Sequence, residues 1–341
     1  MAIAVQSRTL GLASLLTMAF LAIACRADPD CEAQVYSVFE GLTEPRGLTV
    51  GSDGVVYIAE VGPPEAGGRI IRIDDGQVDT LLAGLPVFTH ANEERVGASA
   101  VALRGDQVYV LIGEGRESPS SSLLLTRSGG EFDVVADLHA YIRVAHPKYA
   151  NRLDPGPVPS NPFAVAYHDA QDLFYVVDSG VNALLSVESD GETNIVVTWD
   201  NNPVPTGVAV GPDGNLYVAH FSPLPYLAGT GSVVRVTPAG EVSEVVADLT
   251  TPIGVAFDAA GAMYVLEFSG GFDPDGPELF GRESGRLLRV GDGGNEVVMD
   301  GLAFPTGLAV APSGAIYLTN FGGLSAPYTG AVLRLDPCPA S

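Results

Sequence analysis

The sequence predicts an all-β protein, a six-bladed β-propeller whose last blade is closed by the N-terminal strand. Three observations carry this reading. One pattern recurs six times, its strands are short and β-branched between Gly, Asp and Pro, and the sixth copy lacks a strand that the N-terminus can supply. Each copy opens on a Pro-x-Gly-like element, passes a tight turn and enters a strand with Tyr at a fixed place. The tyrosines are Tyr57, Tyr109, Tyr175, Tyr217, Tyr264 and Tyr317. Their spacing runs from 42 positions (Tyr175 to Tyr217) to 66 (Tyr109 to Tyr175), which suits a four-stranded blade with variable loops better than a helical solenoid repeat.

Taken in chain order, Gln34 to Leu42 comes first and ends in Gly-Leu, as do the later segments closing on Gly84-Leu85 and Gly301-Leu302. It reads as a fourth strand without a blade of its own. The copies then begin at Pro45-Arg46-Gly47, Ser99-Ala100, Asn161-Pro162-Phe163, Pro205-Thr206-Gly207, Pro252-Ile253-Gly254 and Pro305-Thr306-Gly307. Third strands follow, such as Arg69 to Ile73, Val233 to Val236 and Leu287 to Val290. Fourth strands such as Asp79 to Leu82, Glu244 to Val246 and Glu296 to Met299 complete the blades. No run of ten residues in this part has helical periodicity. The sixth copy stops after Ala331 to Leu335, so pairing with the N-terminal strand closes the ring and removes two exposed sheet edges. The second copy has no Pro at its start, which leaves its part in the ring open.

Cys31 precedes the closing strand and Cys338 follows the last one, where a hairpin turn would otherwise join the two, so a Cys31–Cys338 disulfide is expected. A disulfide needs an oxidising compartment, and residues 1–24 read as a bacterial-type export signal, with Arg8 before an apolar run ending in Ala22-Ile23-Ala24. Two cleavages fit. Ala-x-Ala suits an ordinary signal peptidase, whereas Leu21-Ala22-Ile23-Ala24-Cys25 resembles a lipobox that would leave Cys25 lipidated. The expected organisation is a signal at 1–24, a short linker at 25–33 and a single propeller at 34–341. The location is extracytoplasmic, lipid-anchored or secreted.

A net charge of −24, a pI near 4.3 and a single lysine, Lys148, argue against nucleic acid and against electrostatic attachment to anionic lipid. The only membrane association expected is through the lipid anchor, and a monomer is expected. No Gly-x-Ser-x-Gly elbow, Walker loop, Cys-x-x-Cys pair or H-E-x-x-H motif is present, and nothing identifies a catalytic nucleophile.

Loop lengths select a face. Turns such as Gly51 to Gly54, Gly211 to Gly214 and Ala311 to Gly314 are short hairpins, whereas the long insertions 86–97, 139–160, 221–231, 268–285 and 321–330 all fall on the other face. On that face the second strands end at Glu60, Glu114, Asp178, His220, Glu267 and Asn320, and the first strands begin near Glu44, Arg46, Ser99, Asn161, Thr206, Thr251 and Thr306. This ring is the candidate ligand site. Its acids could cage a hard cation such as Ca²⁺, with Glu60 and Glu267 as ligands, or Arg46 could neutralise part of the charge. A structural alternative stands beside each: Asp178 as a cap for loop amides, His220 as a satisfied channel residue. Asp273 to Glu278 alternates oxygen ligands around a Gly but falls short of the EF-hand pattern.

The ordered series Glu44-Pro45-Arg46-Gly47-Leu48, Val56-Tyr57-Ile58-Ala59-Glu60, Val135-Ala136-Asp137-Leu138-His139-Ala140-Tyr141, Ser160-Asn161-Pro162-Phe163, Val177-Asp178-Ser179-Gly180-Val181-Asn182, Pro205-Thr206-Gly207 and Met263-Tyr264-Val265-Leu266-Glu267 resembles the ScyD/ScyE family, NHL-repeat-like propellers encoded with scytonemin biosynthesis genes. The resemblance implies the fold and export, but no defined reaction. Two functions follow as expectations. In one, the long-loop face binds a small molecule, protein or peptide. In the other, the chain is similar to calcium-dependent gluconolactonase and paraoxonase propellers, although the first-strand positions those enzymes use for ligands hold Glu44 and Asn161 but otherwise Gly97, Val204, Thr251 and Phe304 here, which leaves too few ligands.

Overall fold

A computed structural model describes residues 33–337, apart from 92, 116–117, 150–158, 274, 276–278, 292 and 324. The export signal, Cys25, Cys31 and Cys338, and with them the disulfide, lie outside the described residues, as does most of the Asp273 to Glu278 loop.

Six four-stranded antiparallel sheets form the blades. From the axis outward, blade one is Pro45–Val50, Val56–Glu60, Gly68–Asp74 and Gln77–Leu85, and blade two is Ala98–Arg104, Gln107–Ile112, Ser122–Thr126 and Phe132–Asp137. Blade three is Pro162–His168, Leu173–Asp178, Ala183–Val187 and Thr193–Thr198. Blade four is Pro205–Val210, Leu216–His220, Gly231–Val236 and Val242–Leu249. Blade five is Pro252–Phe257, Met263–Glu267, Gly285–Arg289 and Glu296–Leu302. Blade six joins Leu308–Val310, Ile316–Asn320 and Gly330–Asp336 to the N-terminal strand Gln34–Leu42, which pairs from Gln34 opposite Asp336 to Leu42 opposite Gly330. Neighbouring inner strands touch all the way round, blade six against blade one included, so the ring is closed.

The sequence pattern has a packing reason. Strand side chains alternate between faces, and the buried apolar residues separate into six clusters, each shared by two adjacent blades. The repeated tyrosine packs each blade onto the next: Tyr109 in the cluster between blades two and three, Tyr264 between five and six, Tyr317 between six and one. The Gly of Pro-x-Gly is where inner strands approach most closely. A Cβ at Gly307 would lie 2.4 Å from the Arg46 carbonyl oxygen, and one at Gly207 would lie 2.9 Å from the Gly254 Cα.

The residue before that Gly alternates in role. In blades two, four and six it carries a hydroxyl that donates to the next blade: Ser99 to the Pro162 carbonyl at 2.9 Å, Thr206 to Pro252 at 2.9 Å and Thr306 to Pro45 at 2.8 Å. In blades one, three and five it is Arg46, Phe163 or Ile253. Blade two therefore joins the ring in the same manner as blades four and six although it lacks the Pro.

Among the described residues one short helix, Leu138–Ala145, interrupts the β structure. Asp137 caps it by accepting from the Ala140 amide at 2.9 Å, and Leu138 and Ile142 bury one face against blades two and three. Its eight residues are too few for the periodicity that marks a longer helix. No helix among the described residues is long and apolar enough to cross a membrane.

Candidate functional site

The second-strand termini tie each blade to its own entry segment. In four of them the last side chain accepts from a backbone amide at the entry to the same blade: Glu60 from Thr43 at 2.6 Å, Asp178 from Asn161 at 2.8 Å, Glu267 from Thr250 at 2.7 Å and Asn320 from Ala303 at 2.8 Å. Asp178 also accepts from the Gly180 and Val181 amides and from the Ser160 hydroxyl, and burial pushes its carboxyl up to about 6 against those bonds. Glu60 is fully buried and pairs with Arg69, while Glu267 receives two N–H groups of Arg286, one of them at 2.8 Å.

These two glutamates do not fit a calcium ion. Each spends its carboxylate on an arginine and an amide of its own blade, and they share no partner. Among the described residues no three His, Cys, Asp or Glu side chains gather as a metal site requires. Glu114 does not end a second strand, because that of blade two stops at Ile112 opposite Ala98; it is half-exposed and pairs with His90 at 3.2 Å.

His220 ends its second strand without capping an amide. Its blade enters through Pro203, which has no amide hydrogen to offer. The imidazole is buried edge-on to Trp199 with centroids 4.8 Å apart, and its Nε2 makes no hydrogen bond. Burial lowers its pKa from 6.5 to about 4.

What opens to solvent at the axis is a cavity of about 620 Å³ on the long-loop face. Arg46, Asn161 and Thr206 of the predicted ring line it, and Thr306 lines a narrower channel of about 110 Å³ beneath. The hydroxyls of Thr206 and Thr306 already donate to neighbouring blades. Residues from the segments 86–97, 221–230, 268–284 and 321–329 complete the wall.

One side of the cavity is aromatic. Phe221 lies 5.4 Å from Tyr226 and 5.9 Å from Phe268, and Phe280 lies 5.9 Å from Tyr226 and 5.6 Å from Phe268. Phe304 stacks behind Phe268 at 5.2 Å. Sequence reasoning fixed on charged residues and missed this wall, although a visible signal exists: Phe221, Phe268 and Phe321 directly follow the last second-strand residue in three successive blades.

The other side is ionic. Arg46 donates to the Arg95 carbonyl at 3.0 Å and approaches Glu44 Oε2 at 3.6 Å, and Arg95 donates to the Gly62 carbonyl at 2.7 Å. Burial raises the Glu44 pKa, opposed by Arg46 and Arg95 and reinforced by Glu94. Glu44 sits at φ 51°, and the residues before the inner-strand Pro in blades four, five and six, Val204, Thr251 and Phe304, share that left-handed backbone at 57°, 46° and 48°. Each is held by a carbonyl bond from the residue after the second strand, or the one beyond it. Val61 donates to Glu44 at 3.2 Å and Phe221 to Val204 at 2.9 Å.

No protein-family model matches the chain, and no curated protein matches it in sequence. Solved structures share the fold. The PQQ-bound form of aldose sugar dehydrogenase from Streptomyces coelicolor is 17% identical at TM-score 0.60, across 89% of this chain and 98% of that one. A catalytically inactive virginiamycin B lyase from Staphylococcus aureus, with quinupristin, is 14% identical at 0.52, again across 89% and 98%. A candidate gluconolactonase is 16% identical at 0.53, across 89% and 92%. At such identities the likeness establishes the propeller fold alone.

Proposed function

We propose that this protein is an exported binding module, similar to the ScyD/ScyE propellers, that holds a small molecule in the axial cavity of its long-loop face. The supporting observation is that cavity itself, with an aromatic side and an ionic side that holds Glu44 and Arg46. Export, with Cys25 as lipid anchor or as a dispensable residue, belongs to this reading. So does a Cys31–Cys338 disulfide across the closed blade. The hydrolase alternative keeps the same cavity as substrate site, but among the described residues no carboxylates gather to hold a metal, and Glu60 and Glu267 are committed to Arg69 and Arg286.

Gly323 provides the control. A Cβ there would meet Arg46 at 3.3 Å and Phe268 at 3.8 Å, so Gly323→Leu fills the cavity from its own lining. Thermal-shift screening of wild type and Gly323→Leu against aromatic, sugar, peptide and lactone compounds tests the reading, with hydrolysis of the lactones followed in parallel. A compound that stabilises wild type but not the filled variant supports binding. The reading fails if no compound stabilises wild type, or if every stabiliser acts equally on both proteins. Lactone turnover would favour the enzyme.

A further inference from the structure

We infer that the ligand is a neutral or cationic aromatic molecule carrying an O–H or N–H donor, its ring against the Phe221–Tyr226–Phe268–Phe280 wall and its donor on Glu44. This rests on the binding reading above and narrows it to a chemical class, that of phenols, indoles and aryl amines.

Glu44 carries the argument. Its side chain lines the cavity, the residue is only 9% exposed, and Oε2 is buried without a hydrogen bond. The nearest cation, Arg46 at 3.6 Å, is close enough to favour the carboxylate form but too far to hydrogen-bond it, and one of its own N–H groups is already given to the Arg95 carbonyl. A buried carboxylate oxygen left without a hydrogen bond is costly, and such groups in native proteins call for an explanation. A donor on a bound molecule supplies one.

The backbone makes Glu44 distinct among equivalents. Val204 and Phe304 occupy the same left-handed position with apolar side chains, and Thr251 satisfies its hydroxyl on the Ser269 carbonyl at 2.9 Å. Only blade one of these four places an acid at the rim. That acid shares the cavity with rings already packed edge-on to one another and backed by Phe304, a surface suited to a flat π-system. Charge narrows the class further. Glu93 and Glu94 stand beside the cavity on a protein of net charge −24, which disfavours anionic ligands.

Calorimetric titration with four probes separates the parts: 2-naphthol, 2-methoxynaphthalene without the donor, decahydro-2-naphthol without the aromatic ring, and 2-naphthoate with an anionic group. Naphthol should bind about tenfold or more tightly than each of the others, the scale of one unpaired buried polar group. Glu44→Gln should weaken naphthol by a similar factor and leave methoxynaphthalene unchanged, while Tyr226→Ala weakens both. The probe comparison uses wild type alone, so it stands even if a variant fails to fold. Equal binding of naphthol and methoxynaphthalene, or of naphthol and its decahydro form, overturns the inference. So does tighter naphthoate binding. If the broader screen instead finds a donor-free or non-aromatic cavity ligand, this inference falls and the binding reading survives. If nothing binds, both fall.

Discussion

His220 makes folding stability depend on pH in a calculable way. The imidazole is 6% exposed, its Nε2 makes no hydrogen bond, and burial lowers its pKa from 6.5 to about 4. The sign follows from proton counting. Between those two values the unfolded chain binds a proton that the folded chain refuses, so stability from this residue is complete above 6.5 and is lost as pH falls toward and through 4. A gap from 6.5 to about 4 corresponds to about 3 kcal/mol at 1.36 kcal/mol per tenfold change in proton affinity. Urea unfolding of wild type and His220→Phe from pH 8 to pH 4, followed by Trp199 fluorescence, measures it, since Trp199 is the single tryptophan and lies against the ring. Other titrating groups act alike in both proteins. The variant should therefore lack about 3 kcal/mol of the wild-type decline. Superimposable pH profiles would refute a buried, neutral His220.

Four further outcomes test the scaffold. Glu60→Leu should cost about 3 kcal/mol in chemical denaturation, because it leaves Arg69 without its partner and the Thr43 amide unpaired, whereas an unchanged midpoint would mean that this pair is idle. Gly307→Ala forces a methyl against the Arg46 carbonyl and should destabilise by on the order of 2 kcal/mol, read as a lower melting temperature. Thr306→Val removes the hydroxyl donated to the Pro45 carbonyl and should cost about 1 kcal/mol in the same assay. Phe268→Ala deletes a buried ring stacked on Phe304 and should cost about 3 to 5 kcal/mol by urea unfolding.

The fold was legible because a propeller writes its packing into its period. The recurring Tyr marks each blade-to-blade cluster, and the recurring Gly marks where inner strands nearly touch. The short sixth copy betrayed its closure by Gln34–Leu42. The site was legible only in part. Position in the repeat located Glu44, Arg46, Asn161 and Thr206 at the axial mouth, but it could not reveal which way a side chain turns. Glu60, Asp178, Glu267 and Asn320 share a repeat position because each has an equivalent amide to cap, and Pro203 at the entry to blade four deprives His220 of that bond. The helix at 138–145 hid for a different reason: two apolar contacts, Leu138 and Ile142, are too sparse a period to read.

The alternation at the second inner-strand position divides labour around the axis. Ser99, Thr206 and Thr306 stitch blade to blade, while Arg46, Phe163 and Ile253 stand between them with chemically unlike side chains facing the cavity. Six near-equal repeats thus yield a threefold set of interchangeable slots set among a threefold set of rivets. The chemistry of the axial wall varies at three residues while every rivet stays in place.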